Sequence, residues 1–446
     1  MPKIAESDIL IVGGGLAGCT AAWYAAQAGF SVHLVEATPH LGGRVRSTYA
    51  EDVNFWIDNG QHVLSNGYHE TYKILKYLGT DHLVLKQHKL QLAYQFNNKA
   101  KEQLVFNAWK LPAPLHLLMP LLVKMPISWQ DRIQLLRWGI SSKRFSESDL
   151  ENMTVREWLE CSGKGSKKLN EIFWQPLCLA TLNGTIDQCC ALLMSRVLNQ
   201  AFLASTSLSG LGIPLGRLDQ IFSDGFQKSF QRLSVRVSLS STVRKAVIEA
   251  NQFVALELRS GERLHASAAI LATPRHVTER LLTGSCSFKA VDWRYSPIVT
   301  VYVRLRYKLS GIFPVSLPHS PLQWLFELPE QAFSGEGFGY AFVISGADEL
   351  CSQSNEEIQQ LALEESIKYA TPDLSPKDFL GWKVIREKKA TFLPTCSAQL
   401  SRPETETGIA NVFLAGDWTA TGLPATIEGA IISGKNAANS CNFLKK

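Results

Sequence analysis

The chain lacks any apolar run of about 18 residues, the length a bilayer-spanning helix needs, so no transmembrane segment is expected. No basic stretch followed by an apolar core precedes the first apolar run at Ile9, so no secretory leader is expected either. The nine cysteines include no CxxC pair and no metal-ligand spacing, and Cys189-Cys190 are merely adjacent. An odd number so arranged points to free thiols in a reducing cytoplasm and to no metal site. Charge is sparse at 19%, with a net of +5 and no like-charged block longer than two residues. That excludes the basic stripe of a nucleic-acid binder and leaves an anionic membrane surface open as a partner.

What is present begins at Ser7. Ile9-Leu10-Ile11-Val12 is a short apolar run suited to a strand buried on both faces. It enters Gly13-Gly14-Gly15-Leu16-Ala17-Gly18, which fits G-x-G-x-x-G, then an Ala-rich helical stretch to Gly29. A second strand, Val32 to Val35, ends at Glu36. This is one βαβ unit with an acid placed for ribose hydroxyls. Glycines let backbone approach a pyrophosphate, and the helix amino end offers unpaired N–H groups and partial positive charge. Glu36 disfavours NADP, because a carboxylate repels a 2′-phosphate. Leu41-Gly42-Gly43-Arg44 follows, completing Glu-x5-Gly-Gly-Arg. That resembles the second phosphate-side signature of FAD enzymes of the amine oxidase and phytoene desaturase superfamily, and the resemblance implies Arg44 near the pyrophosphate.

At 446 residues the chain exceeds one compact core, and two intertwined domains are expected. Asp58-Asn59-Gly60-Gln61-His62 could line a site, ahead of an amphipathic helix around Tyr68 to Leu78 stopped by Gly79. Ala108 to Ile140 mixes leucines, prolines, tryptophans and basic residues. Two readings stay open there: a helix pair lying in a membrane interface, or one walling a tunnel. Thr154 to Glu157 has capping-box spacing, and further helices are expected from Ser166 and Asp187. Phe173-Trp174-Gln175-Pro176-Leu177-Cys178-Leu179-Ala180 reads as plain helix core. Short strands are expected at Val235–Leu239, Val243–Ile248, Phe253–Arg259, Ala268–Ala272, Ile298–Leu305, Leu322–Leu328 and Phe338–Ser345.

The end of the chain supplies a second element: a buried strand Val412 to Ala415, then Gly416-Asp417-Trp418, then a small-residue helix from Thr426. Its amino end is a second anion-compatible terminus. The words LAGDWT, TGLPATIEGA, DNGQH, WQPLCLATLN and EKKATF together resemble the squalene-associated FAD-dependent family, the bacterial hydroxysqualene dehydroxylases, over essentially the whole chain. The resemblance implies noncovalent FAD, with Gly13 to Gly18, Glu36, Gly43, Arg44, Val243, Gly416, Asp417, Thr426 and Ile427 around it. The expected fold is α/β, with a Rossmann-like FAD domain from segments 1–80, 214–285 and 392–446. A sheet-plus-helices substrate domain, α+β, takes 81–213 and 286–391, with a helical part at 108–204.

The implied reaction is reductive removal of the hydroxyl of hydroxysqualene by reduced FAD. Such chemistry needs a general acid at the departing hydroxyl and a dry, electron-rich surround for an allylic cation. His62 and Glu428 are the candidate catalytic residues, and Trp418 could cover the ring or the cation; structural hydrogen bonding or packing stays open for each. Further implications are a long-chain isoprenoid substrate, squalene-synthase-like enzymes as partners, and a cytoplasmic place at the inner face of the membrane. The alternatives on this scaffold are a carotenoid desaturase or isomerase, an amine oxidase, and a non-catalytic prenyl-lipid escort.

Overall fold

The computed structural model describes residues 7–96, 103–161, 165–289, 291–329, 332, 336–369 and 374–445. The first strand, Ser7–Val12, pairs in parallel with Val32–Val35 on one side and Arg263–Leu271 on the other. Arg236–Ser238 extends the sheet beyond Val32–Val35, and Val412–Leu414 joins at Arg263–Leu271, both in parallel. An antiparallel hairpin, Val243–Glu249 with Gln252–Leu258, completes seven described strands. Ile9, Leu10 and Ile11 are fully buried, because helices cover one face of the sheet and the hairpin side covers the other. That is why the strand is apolar without alternation. Helix Leu16–Gln27 packs against the carboxyl-terminal helix Ile427–Ser440, and their contact brings the two ends of the chain together.

A second sheet of seven described strands has the spatial order Phe379–Phe392, Tyr295–Leu305, Phe338–Ser345, Trp324–Glu327, Val315–Ser316, Gln91–Tyr94, Leu104–Asn107. Helices Leu115–Lys124, Trp129–Ser141, Gln175–Leu182 and Ala191–Val197 form a separate helical layer, whose core holds Trp158, Trp174, Leu192 and Leu193. A small sheet of Leu64–Ser65, Leu211–Pro214 and Val84–Lys86 ties the first segment of the chain to the helical layer across the expected boundaries at 80 and 214.

Most expected elements occur, with local shifts. Thr154 caps Val155–Leu159 through the expected box, its hydroxyl and N–H both meeting Glu157. The helix expected from Asp187 instead begins at Ala191. Asp187 pairs with Arg156, and Cys190 is held extended by a bridge to Thr154 and an N–H bond to Pro394 O at 2.8 Å. Within 108–140 the first helix starts only at Leu115, after Pro112 and Pro114.

Candidate functional site

The two glycine-bearing signatures meet in one place. Gly13 has φ +105°, a left-handed conformation, and a Cβ there would sit 2.5 Å from Ala272 O. At Gly18 a Cβ would lie 1.9 Å from Gly13 O, so the third glycine lets the helix start against the strand end. Gly42 N–H donates to Gly14 O at 2.8 Å and zips the Gly-Gly-Arg turn onto the glycine loop. Glu36 accepts from Gly14 N at 2.5 Å and Thr38 N at 2.7 Å; a carboxylate has further lone pairs for hydroxyl donors. Arg44 then reaches Asp417 Oδ1 at 2.8 Å and donates to Ala390 O at 2.5 Å. Asp417 beside it raises the Arg44 pKa further, so the guanidinium stays charged.

The carboxyl-terminal signature is pinned by Arg402, to which the sequence assigns no task, and by Trp418, for which structural hydrogen bonding is one of the open readings. Arg402 is buried and donates to Leu423 O at 2.6 Å, Asp417 O at 3.1 Å and Thr419 O, lacing the loop between Gly416 and Thr426. Burial brings its pKa down to about 10, which leaves it cationic at neutral pH. Trp418 is buried and donates from Nε1 to Thr273 O at 2.9 Å, against Phe288. Thr426 caps the last helix by accepting from Gly429 N at 3.1 Å, which leaves the first N–H of that helix at the cavity edge.

A cavity of about 1490 Å³ runs through these parts, larger than the roughly 300–1,000 Å³ of a single small-molecule site. Gly13, Gly15, Leu16, Ala17 and Glu36 line one end, with Gly43, Arg44, Val243, Gly416, Asp417, Thr426 and Ile427. Gly14 and Gly18 lie behind this lining and shape it through backbone contacts. The polar groups fit a dinucleotide: a glycine turn open at Gly15, where nothing lies within 4 Å of a Cβ, a fixed guanidinium and two helix amino ends as donors, and a ribose-side carboxylate as acceptor. These residues therefore fit a flavin dinucleotide.

Much of the remaining lining is apolar: Leu92, Tyr94, Phe106, Leu117, Leu121 and Leu135, with Trp138 set edge-on to both Trp158 and Trp174. Phe173, Trp174, Pro176, Leu177, Leu179 and Ala180 thus line the site, a role that their reading as plain helix core missed, while Cys178 is core as expected. Leu117 and Leu121 settle part of the question left open for 108–140, since both face the cavity.

The two ionisable candidates part company. His62 lines the cavity, and its Nδ1–H donates to Gly60 O at 2.7 Å, because a carbonyl can only accept. Burial, with Arg44 nearby, lowers its pKa. Glu428 requires a correction. It is buried outside the cavity lining, and its carboxylate accepts from Glu70 N at 2.9 Å, Thr71 N at 2.8 Å and Thr71 Oγ1 at 2.6 Å. Those are second and third residues of helix His69–Leu78, which has no side-chain cap of its own. Glu428 is that helix's cap, supplied from the far end of the chain, and both its oxygens are engaged by that helix.

A family model described as Flavin containing amine oxidoreductase matches residues 16–442. The chain is 28% identical to the hydroxysqualene dehydroxylase of Sinorhizobium fredii over 98% of both chains. It is 25% identical to the chloroplastic/chromoplastic 15-cis-phytoene desaturase of Glycine max, over 97% of this chain and 79% of that one. In fold it is similar to an oxidoreductase from Methanosarcina mazei, with a TM-score of 0.74 at 17% identity over 98% of this chain and 100% of that one.

Proposed function

The chain belongs to the flavin containing amine oxidoreductase family, and from that premise we propose that it binds FAD noncovalently and reductively removes the hydroxyl of hydroxysqualene to give squalene. The observation that carries this reading is the continuity of the cavity, which joins a dinucleotide-shaped polar end to an apolar, tryptophan-walled passage. The similarity to named hydroxysqualene dehydroxylases supports the choice of substrate. Bound FAD, in its reduced form, would supply the hydride equivalent that replaces the departing hydroxyl. The chain's own residues do the rest. The leucine and aromatic walls admit an isoprenoid and exclude water, so a carbocation formed as the C–O bond breaks is not captured by solvent. The tryptophan faces offer electron density to that cation. His62 is the proton donor in this scheme: Nδ1 is tied to Gly60, so the transferable proton sits on Nε2 of the charged ring and leaves with the hydroxyl as water.

The test is incubation of purified holoprotein with reduced FAD and hydroxysqualene, and in parallel with phytoene under oxidising conditions, followed by lipid extraction. Squalene in the first and no product in the second is the expected result. Desaturated phytoene with no squalene would replace this reading with a desaturase. Substrate binding without turnover in either, at full flavin occupancy, would leave the lipid escort.

A further inference from the structure

Helices Leu115–Lys124 and Trp129–Ser141 each have two unlike faces. Inward, Leu117, Leu118, Leu121 and Leu135 line the cavity. Outward, Trp129, Ile133, Leu136 and Ile140 recur at helical spacing as one stripe. Trp129 is 74% exposed, Ile140 68% and Val123 54%. An apolar stripe this open on a folded protein marks a partner surface. Leu136, Ile140 and Lys143 are both exposed and part of the cavity lining, so the apolar end of the passage opens at this stripe.

The charge is equally localised. Residues 108–144 hold six basic side chains against one acidic, Asp131, which leaves thirty-nine of each sign in the rest of the chain. The whole net charge of +5 therefore sits on the segment that carries the stripe. Lys110, Arg137, Lys143 and Arg144 are exposed. Asp131 hydrogen-bonds Ser128 at the helix cap and Ser166 rather than pairing with these side chains. Exposed tryptophan and isoleucine rimmed by cations suit the boundary between anionic headgroups and acyl chains.

We propose that this face docks on an anionic lipid bilayer, seating the mouth at Leu136, Ile140 and Lys143 against the acyl layer so that isoprenoid passes from bilayer to cavity without crossing water. What passes through the mouth rests on the function proposed above; the docking itself rests on the stripe and its charge. Purified holoprotein should co-sediment with phosphatidylcholine vesicles containing phosphatidylglycerol, and less with phosphatidylcholine alone. At about fivefold per cation, Arg137→Gln with Arg144→Gln should weaken the anionic-vesicle partition by roughly 25-fold, and added salt should mimic this. Val123→Asp with Trp129→Asp should abolish binding while keeping the flavin absorbance and the turnover of detergent-dispersed hydroxysqualene. None of these four residues lines the cavity. Equal sedimentation with both vesicle types, or unchanged partition of either double variant, overturns the docking. Turnover in detergent without vesicle binding would sink the docking alone; vesicle binding without turnover would sink the substrate reading alone.

Discussion

Replacing Glu428 by Gln separates a structural cap from an acid catalyst. The carboxylate accepts three bonds, two of them at Oε2 from Thr71 and one at Oε1 from Glu70 N. An amide can keep two acceptor contacts at one oxygen, but its NH2 then faces the Glu70 N–H, and that buried donor loses its partner at a cost of about 1–3 kcal/mol. The two surviving bonds lose their charge assistance, and the helix amino end loses its anion, worth roughly 0.3–1 kcal/mol and more when buried. Relief of one buried charge offsets part of this. The expected net is a loss of about 2–4 kcal/mol, a large share of the roughly 5–15 kcal/mol that holds a typical fold. Urea denaturation of the flavin-free protein should show it as a lower midpoint with unchanged slope. A double-mutant cycle with Thr71→Val should couple by about 1 kcal/mol or more. Turnover of surviving holoprotein should stay within a few-fold of the parent. A wild-type midpoint with turnover down by roughly a hundredfold or more, the cost of deleting a general acid, would refute the cap and restore the catalytic role.

Other outcomes follow from the same geometry. With the His62 pKa held below 6.5 by burial, the charged ring becomes scarcer as pH rises, so kcat/KM should fall on going from acid to neutral pH; His62→Gln should lose that limb, and a flat parental profile would clear His62 of the proton transfer. Asp417→Asn removes an ion pair whose arginine is 44% exposed, so stability should change by about 1 kcal/mol or less; flavin affinity, read by fluorescence titration, should drop at least about tenfold because Arg44 is no longer oriented. Gly434→Ala would place a Cβ 2.1 Å from Ala17 O. Forcing the two terminal helices apart should cost about 1–3 kcal/mol and release flavin on gel filtration, whereas a holoprotein of parental stability would show that the contact yields.

Some of this architecture is legible without coordinates because burial on both faces leaves a mark in the residues. Val32–Val35 and Phe338–Ser345 fall at the limits their apolar runs indicate. The meeting of Arg44 with Asp417 was likewise foreseeable, since each belongs to a word that only a shared ligand connects. Phe379–Phe392 escaped notice for the opposite reason. It is a sheet edge, half-buried along its length and carrying Arg386, Glu387, Lys388 and Lys389, the charges that keep an edge from pairing with another chain. Arg402 and Glu428 were misjudged or passed over because most of their partners are backbone groups. A carbonyl or an N–H has no letter in the sequence, so a side chain that serves one looks like any other ionisable residue.

The convergence of the chain's two ends also fixes when the cofactor can act. Synthesis runs from the amino end, so the glycine turn and Arg44 leave the ribosome long before Asp417 and helix Ile427–Ser440 exist to complete the cradle. No nascent fragment holds the full donor set, and flavin selects among finished chains. Its stabilisation there grows with free concentration, roughly 2.7 kcal/mol at a hundredfold excess over Kd. A cell short of flavin loses that stabilisation, and the abundance of the protein should fall with it.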